Sequence, residues 1–214
     1  MAVRPEFGPT LPALVRDRGI VGRALAGGVL VVAAIVVAAL VIRAHRGTRE
    51  AVVRSPFTFN VVYNTSELRR VAPHRGDLLR LEGARRGLDV VVAVRAVALP
   101  AYAGGDAVAG LVPVVADRRE RELAALYGPL MIFDEGRITT NTAPGYQIGF
   151  RAGKAGDLLF GRDLYVFPQE LAPRVGALVS LRQFEHRRVT AAGAALLQAA
   201  REAFRSFTFG DTPS

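Results

Sequence analysis

Nineteen consecutive residues, Ala24 to Ile42 (ALAGGVLVVAAIVVAALVI), carry no polar side chain. As a helix rising about 1.5 Å per residue the run spans roughly 28 Å, the thickness of a bilayer's hydrocarbon core. Arg23 and Arg43 bracket it and are placed to snorkel into the two headgroup layers. A buried helix of a soluble core would show a polar face over that length. A cleaved signal peptide would have a shorter apolar region followed by a small-residue site, where this chain reads LVIRAHRGTRE. The pattern predicts one uncleaved transmembrane helix over 24–42 behind an N-terminal tail of residues 1–23, with a basic juxtamembrane linker over 43–54.

Past the linker the periodicity changes, and a folded domain is expected over 55–214. In FTFNVVY (57–63), Phe57, Phe59, Val61 and Tyr63 share one face, the alternation of a half-buried strand. Residues 78–82 and 88–99 read as a hairpin around a Gly-bounded turn at 83–87, its second strand apolar on both faces and ended by Pro100. The stretch 101–113 is expected to be a connector, and Asp117 to start a helix whose capping box is completed by Glu120 and which stops at Gly128 and Pro129. Four strand-like segments follow: MIFDEGRITTN, GYQIGFRAG, DLLFGRDLYVFP and VGALVSLRQF. Thr190 then caps a last helix with Leu196, Leu197, Ala200, Ala203, Phe204 and Phe207 on its apolar side. The order predicts an α+β fold, a mainly antiparallel sheet of about six or seven strands with flanking helices.

Those segments carry a family resemblance. FTFNVVY, GYQIGFRAG followed by GRDLYVFP and VGALVSLRQF, and a closing helix that runs into AFRSFTF are similar to the PsbP-like fold, that of the photosystem extrinsic subunit, the Ran-binding Mog type and the actinobacterial envelope lipoproteins of the LpqN type. The resemblance covers about residues 55 to 210. It implies a binding or assembly module and brings no catalytic residue with it. The chain departs from the lipoproteins in having an apolar span where they have a lipidated cysteine.

Composition narrows the chemistry. The chain has no Cys, which removes disulfides, thiolate zinc sites, a cysteine nucleophile and a lipidated cysteine. Of its 28 basic side chains only Lys154 is lysine, a skew typical of a high-GC genome. Residues 1–54 carry eight Arg against three acids, so more than half of the net +9 lies beside the apolar run. That placement favours an anionic lipid surface over nucleic acid, and no nucleic-acid partner is expected. Arginines balance across the run, with Arg4, Arg16, Arg18 and Arg23 before it and Arg43, Arg46, Arg49 and Arg54 after it, so charge does not orient it. The short tail and the folded mass behind the run point to a cytoplasmic N-terminus and an extracytoplasmic domain.

His45, His74 and His186 are dispersed without metal-binding spacing, and no metal or cofactor is expected. Asp134 and Glu135 adjoin in FDEGR, where a turn between elements is expected rather than a paired-carboxylate site. No G-x-S-x-G, Walker A or H-E-x-x-H sequence occurs. Binding residues are therefore sought on loops, at Asn64, Thr65, His74, Arg75, Asn141 and Thr142. The expected function is a single-pass, membrane-anchored, non-catalytic module of the bacterial envelope that binds a protein or small molecule. The alternatives are an envelope enzyme and a cytoplasmic-facing regulator that binds a partner.

Overall fold

The structure is a computed structural model that describes residues 29–30, 47–101, 107–154, 157–168 and 174–210. The chain divides into two compact units, Met1–Gly47 and Thr48–Ser214. In the first, Val29 and Leu30 are helical and exposed. The rest of the 24–42 run, its flanking Arg23 and Arg43 and the 1–23 tail lie outside the described residues. Among the described residues no helix is long and apolar enough to cross a membrane.

The second unit runs β1 (Thr48–Val53), β2 (Phe59–Asn64), β3 (Arg69–Arg70), β4 (Asp77–Arg85), β5 (Leu88–Ala98), α1 (Ala107–Tyr127), β6 (Leu130–Thr140), β7 (Ala143–Lys154), β8 (Asp157–Val166), β9 (Val175–Glu185), α2 (Ala191–Arg205) and β10 (Thr208–Phe209). Seven strands form one antiparallel sheet in the order β3-β4-β5-β9-β8-β7-β6, and β1, β2 and β10 form a second, three-stranded sheet. The expected α+β layout is found in this unit, with β5 deep in the large sheet as its two apolar faces require.

Packing follows from strand alternation. Val90, Val92 and Val94 of β5 and Ala177, Val179 and Leu181 of β9 point to one face and share a core with α2 (Leu196, Ala200, Ala203, Phe204) and with Phe59, Val61 and Tyr63 of the small sheet. The opposite face carries Ile148, Tyr165 and Leu178 against Leu111, Val112, Val115 and Ala116 of α1, and Phe150 and Leu159 against Leu123. The large sheet is thus covered by one helix on each face. Thr190 caps α2 as expected, its hydroxyl accepting from the Gly193 amide at 3.2 Å.

Four local expectations are corrected. Thr48–Val53, within the stretch read as linker, is a strand paired along its length with β2, and Ala51 is buried; its polar Thr48, Arg49 and Glu50 are exposed and masked the alternation. The connector 101–113 gives way to helix from Ala107, so Asp117 lies inside α1 and forms no cap. Burial of Leu111, Val112, Val115 and Ala116 along one stripe outweighs the poor propensity of Gly110 and Pro113, the latter on the solvent side. The expected turn at Asp134–Gly136 is strand, β6 continuing through it with a bulge between Ile132 and Asp134. Phe207 is buried, but α2 ends at Arg205 and Phe207 leads into β10.

Candidate functional site

The loop residues singled out from the sequence do not meet. Asn64 ends β2, where its side-chain oxygen accepts from the Ser66 amide at 2.9 Å and hydroxyl at 2.7 Å, a local turn bond. Thr65 borders a polar depression of about 710 Å³ in which Glu67 pairs with Arg85 and Glu82 with Arg69. His74 and Arg75 are exposed before Asp77, while Ser66 and Glu67 accept from Arg85 at the other end of β4. The nine residues of β4 separate those two ends by about 26 Å. Asn141 and Thr142 make the β6–β7 turn with φ of 45° and 73°, and the Asn141 amide donates to the Phe207 carbonyl at 2.8 Å, tying that turn to the end of α2.

The largest concentration of buried charge lies under α1. Arg119 Nε donates to Asp163 Oδ2 at 2.7 Å and Arg182 Nη2 to the same oxygen at 3.0 Å. Arg182 Nη1 sits 2.7 Å from Asp163 Oδ1 as an ion pair while directing its protons to the carbonyls of Arg162 and Leu181. Burial opposes ionisation of Asp163, but the charges of Arg182 and Arg119 and their hydrogen bonds outweigh it and hold the carboxyl at about 2. Glu122 accepts from Arg119 and from Arg118, each at 2.9 Å, so three arginines share two acids. A cavity of about 470 Å³ beside this cluster is lined by Arg95, Arg118, Arg119 and Glu122. Each of them is already in an ion pair: Arg95 with Asp77, Arg118 with Glu122, Arg119 with Asp163. On this face the charges are matched internally.

The opposite face behaves differently. Helix α2 covers β4, β5 and β9, and the sheet continues past it through β8, β7 and β6, leaving a groove. Strand register sets its floor: Met131, Arg151, Phe160 and Gln183 form one row across β6, β7, β8 and β9, and Gly149, Arg162 and Leu181 form the next. Gly149 keeps the second row low, since a Cβ there would lie 3.0 Å from both Asp134 Cβ and the Phe133 ring. Ala194, Leu197 and Arg201, one stripe of α2, make the wall with Val189. The groove comprises a cavity of about 610 Å³ and an adjoining one of about 320 Å³, and Arg162, Leu181 and Arg201 line both. The size is that of a small-molecule site, roughly 300–1,000 Å³.

Three of the groove's four arginines lack an acidic partner among the described residues. Arg162 faces Asp134 at 3.3 Å in a half-exposed pair. Arg151, Arg201 and Arg205 make no ion pair or hydrogen bond through their guanidinium groups among the described residues. Met131 and Phe133 are 53% and 50% exposed beside them, large apolar side chains left open to solvent. Among the described residues no cluster of His, Asp or Glu is placed to hold a metal ion. None of the six loop residues lines this groove. In the sequence its arginines merge into the compositional skew, and the available signal is Arg151 and Arg162 each next to an inward-facing residue of a strand, Phe150 and Asp163.

No protein-family model matches the chain, and no curated protein does. Among solved structures it is similar to LpqN of Mycobacterium tuberculosis, described as involved in cell envelope biogenesis, at 13% identity and a TM-score of 0.48 over 77% of this chain and 92% of that one. It is also similar to the cyanobacterial PsbP of Synechocystis, at 9% identity and a TM-score of 0.48 over 77% and 93%. A third is Mog1, at 11% identity and a TM-score of 0.44 over 77% and 97%. These are the three kinds of protein whose fold the sequence resembles.

Proposed function

We propose that the chain is a membrane-tethered binding module of the bacterial cell envelope, without catalytic chemistry of its own, and that the groove between α2 and β6–β8 is its ligand seat. One observation carries this reading: a groove with Met131, Phe133 and Phe160 open to it and with Arg151, Arg201 and Arg205 at its borders, whose guanidinium groups pair with no acid among the described residues. Side chains in such a place stabilise little in the free protein and gain partners on binding. The tether is the apolar run 24–42, with Arg23 and Arg43 at its edges and the bilayer as its partner. In this arrangement the N-terminus is cytoplasmic and the folded unit lies outside the cytoplasmic membrane.

Protease protection in spheroplasts, on a chain tagged at both ends and recovered from carbonate-washed membranes, tests this arrangement. Loss of only the C-terminal tag to external protease is the expected result. Recovery of the full-length chain in the soluble fraction removes the tether. Protection of the C-terminal tag with cleavage of the N-terminal one reverses the orientation.

A further inference from the structure

We infer that the groove takes a single-chain anionic amphiphile, one aliphatic chain bearing a phosphate or carboxylate head, an inference that rests on the groove being the ligand seat. The two ends of the groove differ in chemistry. The larger cavity presents Met131, Phe133, Phe160, Val189 and Leu197 as its apolar wall, with Arg151 and Gln183 flanking Phe160 in the strand row. Such a surface suits a flexible hydrocarbon, and the unbranched Met131 adapts to its shape.

At the junction with the smaller cavity stand Arg162 and Arg201, one from the sheet and one from the helix, with Arg205 one helical turn beyond Arg201. Planar guanidinium groups from two directions match the geometry of a phosphate or carboxylate and strengthen beside an apolar wall. Glu185 lines the other side of the larger cavity, four residues along β9 from Leu181 at the junction. Glu185 has no cation paired with it among the described residues, whereas at the junction Asp134 is already matched by Arg162 and Arg201 is unpaired, so the head is directed to Arg162 and Arg201 and the chain toward Phe160 and Val189. Thr140 lines the smaller cavity and adds a hydroxyl for the rest of the head, beside Gln147, whose amide donates to Asp134 at 2.6 Å.

The test uses the full-length chain with phosphatidylcholine vesicles and two photoreactive probes of the same acyl chain, a lysophosphatidate and a monoacylglycerol, with labelled peptides mapped by mass spectrometry. The lysophosphatidate is expected to label peptides holding Met131, Phe133, Phe160 or Leu197, about tenfold or more above the neutral probe. The double variant Arg162→Gln, Arg201→Gln should lose that excess while melting within a few degrees of the parent, and Arg201→Lys should keep most of it. Equal groove labelling by both probes, untouched by the arginine variants, overturns the anionic head and leaves the groove as the seat. Labelling confined to other peptides overturns the groove itself. If millimolar inorganic phosphate abolishes labelling, a free anion is what the site recognises, and the amphiphile is overturned.

Discussion

The guanidinium carbon of Arg182 lies 5.0 Å from the centroid of the Phe150 ring. Neither residue is a neighbour of the other in the sheet; Gly161 stands between them, in register with Phe150 on one side and with Arg182 on the other. A side chain at that position would separate them. With none, the ring of Phe150 lies over the glycine, is stacked by Tyr127 at 6.0 Å, and forms one wall of the buried cluster around Asp163.

Gly161→Ala is therefore expected to destabilise the folded unit. The new methyl would sit 2.1 Å from Phe150 Cζ, which forces the ring off Arg182. A loss of about 2 kcal/mol is expected in urea unfolding followed by circular dichroism. Unchanged stability would mean that the ring moves without cost and that the stack contributes nothing.

Asp163→Asn leaves Arg119 and Arg182 buried without their shared counter-charge, and the expected cost is about 3–5 kcal/mol in the same assay. The pH dependence has a definite sign. Because the folded-state value of Asp163 lies at about 2, below an unfolded value of about 3.9, its stabilisation is whole above the unfolded value. It fades as pH falls through the window between the two. The variant should flatten the stability curve between pH 4 and pH 2, and an identical acid limb in both proteins would rule out the ionised carboxylate as the cause.

His186 joins strands through charge at the sheet's other end, its Nδ1 2.6 Å from Asp157 and its Nε2 3.3 Å from Asp89. The hydrogen bond to Asp157, then that to Asp89, raises the histidine above its ordinary value, so any contribution it makes is present below the unfolded value and is lost as pH rises through the folded one. An NMR titration of the ring protons should show Asp157→Asn lowering the midpoint more than Asp89→Asn does. Equal or reversed effects would contradict the geometry.

Two shortened chains separate the boundary expected from the sequence from the one found in the fold. A chain starting at Thr48 keeps β1 on β2; a chain starting at Ser55 removes it and leaves β2 only the two-residue pairing with β10. The Thr48 chain should melt cooperatively and the Ser55 chain should melt lower or aggregate, through the freed edge of β2 and loss of buried Ala51. Coincident melting curves would show that β1 is dispensable.

Much of this domain is legible in its sequence because alternation and caps act locally. Phe59, Val61 and Tyr63, the paired runs around Gly87, and Thr190 before an apolar helix each announce their element within a few residues. The first half of α1 is not legible, because Gly110 and Pro113 read as breakers and only contact with Ile148, Tyr165 and Leu178 makes Leu111 and Val115 a buried stripe. Polarity on a loop does not mark a binding residue here: Asn64 satisfies its own turn, and Asn141 ties its turn to the chain after α2. The groove escapes a linear reading for the same reason as the Asp163 cluster. Arg151, Arg162 and Arg201 come from β7, β8 and α2, and nothing short of the strand register places them side by side.

Arg162 and Asp163 are adjacent in β8 and face opposite ways, the first into the open groove and the second into the ion cluster beneath α1. Phe150 with Arg151 and Leu181 with Arg182 repeat the division on the two flanking strands. A slip of one residue in β8 would turn a carboxylate toward the arginines of the groove and bury a third guanidinium beside Arg119 and Arg182. Like charges in the interior make that misalignment far costlier than an apolar slip. The same dipeptide thus acts as a keyed joint, so an insertion or deletion in β8 would disrupt the proposed ligand surface and folding together.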